Sequence, residues 1–165
     1  MRAVETRPLV AVLGIHHVSI SVPDLETALG WYARVLGFEL EQRFQVAAIP
    51  ARAAFMRQQN LRLEIWEVAG GAPVPDERRE PHSDLHQGGT KHLALLVDDL
   101  QACLERLYEE RIDIAALQRT PTGPMRTESD PRIRSADGAF AAFIRDPAGT
   151  LIELIDAARL GSPDH

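Results

Sequence analysis

Two histidines and two glutamates stand at matched places in this chain, and together they carry the chemistry of a metal site. His17 opens the stretch His17-Val-Ser-Ile-Ser-Val-Pro-Asp-Leu25, and His92 opens His92-Leu-Ala-Leu-Leu-Val-Asp-Asp-Leu100. Each copy later reaches an apolar run that bears one acid, Glu64 within Leu61–Ile65 and Glu153 within Leu151–Ile155. Divalent ions accept neutral imidazole and carboxylate together, and two of each leave positions open for water or substrate oxygens. An open position is a catalytic design. Taken singly, a strand histidine is ordinarily hydrogen-bonded or exposed and a strand glutamate ordinarily faces water, so the repetition is what favours the metal reading.

The elements that position these residues can be read from periodicity. His17, Ser19 and Ser21 alternate with Val18, Ile20 and Val22, as in a half-buried strand with its polar side toward a ligand. Asp24 then offers an N-cap to a helix whose apolar face is Leu25, Ala28, Leu29, Tyr32, Val35 and Leu36, and Gly37 ends it. Three short strands follow, around Phe38 to Phe44, Arg52 to Arg57 and Asn60 to Val68, with Gln58-Gln59-Asn60 as a tight turn. Residues 14–68 are thus expected to form a βαβββ module, and 69–89, rich in Gly, Pro and charge, a linker.

Residues 90–157 repeat the order. A strand at 92–97, an Asp98/Asp99 cap and a helical stripe of Leu100, Cys103, Leu104, Leu107 and Tyr108 lead to strands near Ile112–Leu117, Ala139–Arg145 and Thr150–Asp156. Ala53-Ala-Phe-Met-Arg57 is matched by Ala141-Ala-Phe-Ile-Arg145, so the likeness reaches the last hairpin of each half. The expected fold is α+β, with paired βαβββ modules forming a cupped mixed sheet. Pseudo-twofold symmetry between such modules turns equivalent positions toward a common axis, which would place His17, Glu64, His92 and Glu153 around one cavity. Residues Thr120 to Gly138 interrupt the match and include Arg126, Arg132 and Arg134. An insertion of that size is either a substrate-contacting loop or a plain solvated one.

The bulk properties exclude several classes. With 165 residues, 45% hydrophobic and 25% charged, the chain can bury an ordinary core. A net charge of -6 with scattered arginines gives no footprint for nucleic acid. No run approaches the roughly 20 apolar residues of a membrane span, and Met1 to Leu13 lacks a secretory pattern, so a cytoplasmic address is expected. The single cysteine, Cys103, excludes an intrachain disulfide and reads as a small buried hydrophobe.

Neighbouring candidates divide by register. Adjacent strand residues point to opposite faces, and His17 aligns with His92, so His16 is a neighbour and His17 the ligand. His82 and His86 fall in the linker and read as solvated, while His165 is a tail residue. Arg52, Arg57 and Arg62, or the loop arginines 126, 132 and 134, could hold an anionic substrate group, although ordinary surface charge is the commoner role. Trp31 and Trp66 read as core or rim packing rather than substrate stacking.

The segments HHVSISVPDLETALGWYARVLGFEL, KHLALLVDDL and FIRDPAGTLIEL resemble the vicinal oxygen chelate superfamily, which includes glyoxalase I, methylmalonyl-CoA epimerase, extradiol dioxygenases and bleomycin-resistance proteins. The resemblance covers about residues 14 to 157. It implies the glyoxalase/dioxygenase-like fold, one divalent metal ion (Fe, Ni, Co, Mn or Zn) on His17, Glu64, His92 and Glu153, and Glu153 or Glu64 as the carboxylate that moves a carbon-bound proton while adjacent substrate oxygens chelate the ion. The implied activity is that of a glyoxalase I-like lyase or isomerase acting on a small molecule. A homodimer is expected, with each site built within one chain or from modules of two chains.

Departures from the family pattern bear on the reaction. Glyoxalase I usually has an arginine four residues after its first ligand histidine, and here that position is Ser21. Epimerases acting on coenzyme A esters use an acid in the stretch that here reads Gln45-Val-Ala-Ala-Ile-Pro-Ala-Arg52, which has none. An Fe(II) extradiol dioxygenase could use His17, His92 and Glu153, yet it also needs a histidine and a tyrosine near the substrate, and Ala139 to Phe143 offers only apolar groups while Tyr108 sits on a helix. A bleomycin-resistance type of binding protein is the non-enzymatic alternative, and such proteins generally lack the four ligands.

Overall fold

Alternating residues and two aspartate caps build the same unit twice. The computed structural model describes residues 9–127 and 138–160. The first unit contains β1 (Val18–Val22), α1 (Leu25–Leu36), β2 (Glu39–Gln45), β3 (Ala51–Gln58) and β4 (Leu61–Val68). The second contains β5 (Leu93–Val97), α2 (Leu100–Glu109), β6 (Ile114–Gln118), β7 (Met125–Thr127), β8 (Ala141–Arg145) and β9 (Leu151–Asp156). Asp24 accepts a hydrogen bond from the Thr27 amide at 2.8 Å, and Asp99 accepts one from Ala102 at 2.9 Å, so each helix begins on a side-chain cap. Gly37, at φ 70°, takes the left-handed conformation that closes α1.

The strands form two mixed sheets, β1-β4-β3-β2 and β5-β9-β8-β6-β7. β1 runs parallel to β4 and β5 parallel to β9, while the remaining pairs are antiparallel. Among the described residues β1 and β5 each lie at the end of a sheet with one side unpaired. The fold class read from the sequence holds with one addition, because part of the insertion, Met125–Thr127, pairs with Ala116–Gln118 and gives the second sheet a fifth strand. Periodicity could not show this strand, since three residues carry too little alternation to register.

One core joins both units. Leu25, Ala28, Leu29 and Tyr32 of α1 share it with Leu100, Leu104 and Leu107 of α2, with Ala54, Met56, Leu63 and Ile65 from the first sheet, and with Leu117, Ala142, Ile144, Ile152 and Leu154 from the second. Each fully buried leucine or isoleucine contributes about 1.5–3 kcal/mol relative to exposure. Across the seam the Tyr32 hydroxyl donates to Asp146 at 3.0 Å, both residues being buried. Burial pushes the Asp146 carboxyl up, against amide hydrogen bonds from Ala148 and Thr150 and the one from Tyr32. Cys103 is half-buried rather than sealed, with Arg106 at its sulfur.

Residues of the expected linker are fastened to the second unit. Arg145, almost fully buried, donates to the Arg79 carbonyl at 2.8 Å and pairs with Glu80 and Asp113. Asp84 is held by Lys91 at 3.0 Å and Arg78 at 3.1 Å. The Arg145 contacts join residues 32 to 66 positions apart, which composition alone does not reveal.

Candidate metal site

Cross-strand register places the four candidates at equivalent positions of the two sheets. In the first sheet Ser19 of β1 lies opposite Glu64 of β4, which lies opposite Phe55 of β3. In the second, Ala94 lies opposite Glu153, which lies opposite Phe143. His17 and His92 stand two residues before Ser19 and Ala94 and so share their face. His17 Nε2 is 3.4 Å from Glu64 Oε2, and His92 Nε2 is 3.1 Å from Glu153 Oε2. Each imidazole meets a phenylalanine edge to face, His17 on Phe55 at 5.6 Å and His92 on Phe143 at 5.4 Å.

These spacings suit a shared ion. Donor atoms that each lie about 2.1 Å from a metal are about 3.0 Å apart at a right angle and about 3.4 Å apart at a tetrahedral angle. Both pairs are also on the side of the sheet away from the helices, where Ser19, Ser21, Ala94 and Leu96 are exposed. The two pairs do not merge within one chain, because among the described residues no three His, Cys, Asp or Glu side chains gather as an ion-holding group.

The glutamates differ in what holds them. Partial burial alone would raise the Glu64 carboxyl, but hydrogen bonds from the Trp66 indole and the Ser19 hydroxyl, with the nearby charge of Arg62, outweigh it and bring the carboxyl below its ordinary value. Glu64 is therefore kept ionised, the form in which a carboxylate can bind a divalent ion. At Glu153 the equivalent positions are Ala94 and Ile155, which have no side-chain donor to offer. Trp66 thus faces the site rather than the core, and its position two residues after Glu64 on a strand is the sequence pattern that could have indicated this.

Other candidates separate. His16 lies against His17, Nδ1 to Nδ1 at 2.7 Å, and against Arg62 at 2.9 Å. Arg52 binds Glu67 on the helix side of the sheet, while Arg57 and Arg62 share Glu41, and Arg62 also stacks on Phe55 at 3.8 Å. Arg126 pairs in register with Leu117, a core residue, so it stands on the face opposite His92 and Glu153. Arg132, Arg134 and His165 lie outside the described residues. His82 is exposed as expected, though its ring reaches Phe143 at 6.5 Å. His86 is exposed, and Trp31 packs edge to face on Tyr32. A cavity of about 670 Å³ at the seam between the units is lined by Val35, Cys103 and Arg106 among others and includes none of the four candidates. No helix among the described residues is long and apolar enough to cross a membrane.

The chain is similar to known proteins over most of its length. The family model of the Glyoxalase/Bleomycin resistance protein/Dioxygenase superfamily matches residues 14–154. A 2-epi-5-epi-valiolone epimerase from an Actinomyces species is 29% identical, with 96% of this chain and 93% of that protein aligned. The mitochondrial methylmalonyl-CoA epimerase of Mus musculus is 25% identical over 93% of this chain and 78% of its own length. Among solved structures, a glyoxalase family protein from Enterococcus faecalis superposes with a TM-score of 0.64 at 22% identity, covering 87% of this chain and 98% of that one.

Proposed function

The chain belongs to the Glyoxalase/Bleomycin resistance protein/Dioxygenase superfamily, and from that premise we propose that it is a divalent-metal-dependent isomerase that moves a proton on a small substrate with vicinal oxygens. The observation that carries the reading is the matched pair of His–Glu contacts, His17 with Glu64 and His92 with Glu153, at spacings suited to a common ion. A divalent ion bound there supplies Lewis-acid polarisation of the substrate oxygens. Glu64, held ionised by Trp66 and Ser19, serves as a fixed ligand. Glu153, whose neighbours at the equivalent positions are Ala94 and Ile155, is the carboxylate that takes the proton from carbon and returns it. The epimerase relatives support proton transfer at carbon.

The complete set of four forms between two copies, the first unit of one chain facing the second unit of another. The separation of the pairs within the single chain supports this. So do the unpaired sides of β1 and β5 and the apolar groups beside them, Leu96 at 64% exposure and the arm carrying Leu9, Val10, Val12, Leu13 and Ile15. The test is metal analysis together with deuterium exchange from heavy water into the substrate's carbon-bound hydrogen. Bound metal, and exchange lost in Glu153→Ala and His92→Ala, is the expected result. A protein free of metal whose two variants exchange at the wild-type rate, or one that consumes oxygen with catechols, would overturn the proposal.

A further inference from the structure

The cavity of about 670 Å³ at the seam lies where α1 and α2 both end, and its walls come from both units. Its apolar lining is Val35, Leu36, Val97, Leu107, Ile112 and Leu154. Leu154 follows Glu153 on β9 and belongs to the shared core, so the cavity opens on the face of the sheet away from the candidate ligands. Val35, Leu36, Val97 and Ile112 pack against that core on one side and are only half-buried, which leaves apolar surface at the opening. Packing defects in a core are rarely larger than a water molecule. A volume of this size is that of a small-molecule site, for which roughly 300–1,000 Å³ is usual.

Four charged side chains edge the opening: Arg34, Arg106, Glu109 and Glu110. Arg34 and Glu110 close on each other at 2.7 Å and tie α1 to the end of α2. Arg106 uses Nε on the Ala102 carbonyl of its own helix at 3.3 Å and Nη2 on the Cys103 sulfur at 3.8 Å. Among the described residues neither Arg106 nor Glu109 has an ion-pair partner. The two stand three apart on α2 and so are neighbours on its surface. Glu109 is also the last residue of that helix, where the free carbonyls add partial negative charge. A molecule carrying only a carboxylate would meet Arg106 and be repelled by Glu109, and one carrying only an ammonium would meet the reverse.

We propose that this cavity is a second binding site, for a free α-amino acid with a large apolar side chain, its carboxylate on Arg106, its ammonium beside Glu109 and its side chain against Val35, Leu107 and Leu154. A zwitterion carries adjacent opposite charges on one carbon, which is the pattern the rim presents. Both rim residues are exposed while the lining is apolar, so the charged head stays at the mouth and the side chain enters. An aromatic ring suits the volume better than a short aliphatic chain, since it brings about 150–250 Å² of surface to bury. Ligand bound here touches both units at their seam and none of His17, Glu64, His92 or Glu153. The site is therefore independent of the proton-transfer reading.

The experiment is calorimetry on the full chain with L-phenylalanine, with phenylpropanoate, which keeps only the carboxylate, and with phenethylamine, which keeps only the ammonium. Cys103, the single cysteine of the chain, lines the cavity and gives a second readout through its rate of labelling by iodoacetamide. L-Phenylalanine is expected to slow that labelling and to bind about fivefold more tightly than either analogue, the scale of an exposed ion pair. Arg106→Gln should abolish its advantage over phenethylamine, and Glu109→Gln its advantage over phenylpropanoate. Cys103 protection in the wild-type chain keeps the test open if either variant fails to fold. No heat of binding with labelling at an unchanged rate would overturn the site. Equal binding of all three compounds, or tighter binding of phenylpropanoate, would overturn the assignment to an amino acid.

Discussion

Two broken copies should repair one another. His17→Ala removes one ligand from the first unit and His92→Ala one from the second, and in each homodimer both sites then lack a histidine. Each variant alone is expected to lose more than the roughly 10–100-fold that follows loss of a group merely supporting a ligand. If sites are built between chains, a mixed dimer contains one site missing both histidines and one site missing neither. With free exchange at equal concentrations about half the dimers are mixed, so about a quarter of all sites become intact, and activity recovers to about a quarter of wild type. A site built within one chain gives no recovery, because every chain carries one lesion. The spacing of the two His–Glu pairs and the absence of a larger cluster within one chain, among the described residues, lead to the first outcome. The assay is deuterium exchange in Mn(II)-loaded mixtures, with native mass spectrometry to follow formation of mixed dimers. Mixed dimers that remain at the level of the parents would refute the reasoning.

Three further outcomes follow from the geometry. Trp66→Phe removes an indole donor from Glu64 while keeping an aromatic ring, and Mn(II) affinity measured by calorimetry should fall about 10–100-fold; unchanged affinity would show that the indole does not position the carboxylate. Tyr32→Phe deletes the buried hydroxyl that donates to Asp146 at 3.0 Å and should cost about 1–3 kcal/mol in urea titrations, since the carboxylate keeps its amide partners at Ala148 and Thr150. The Asp84 carboxyl is lowered from its ordinary value of 3.8 chiefly by its hydrogen bond from Lys91, with Arg78 adding to it against the effect of burial. A lowered carboxyl adds stability above the unfolded value that is lost as pH falls through the folded one, so Asp84→Asn should flatten the stability–pH curve below about 4, and an unaltered acid limb would show that the Lys91 and Arg78 contacts to Asp84 add no stability.

The repeat was legible because both of its periods are local. Alternation of two placed His17, Ser19 and Ser21 on one face, the helical stripes of α1 and α2 followed from their spacing, and the aspartate caps mark both helix starts. Matching His17 with His92, and Glu64 with Glu153, needed only that equivalent strands occur twice. Neither the partners of the arginines nor the dressing of Glu64 could be read that way. Arg62 meets Glu41 and Phe55, Tyr32 meets Asp146, and Arg145 meets Glu80, across separations that no local pattern encodes. Sequence by itself determined which residues repeat and which face each occupies, since side-chain direction along a strand is a property of the backbone. Only the tertiary structure decided that the two His–Glu pairs stay apart within one chain and that one glutamate has donors the other lacks, because distances between sheets, and the neighbours across them, are set by how the units pack.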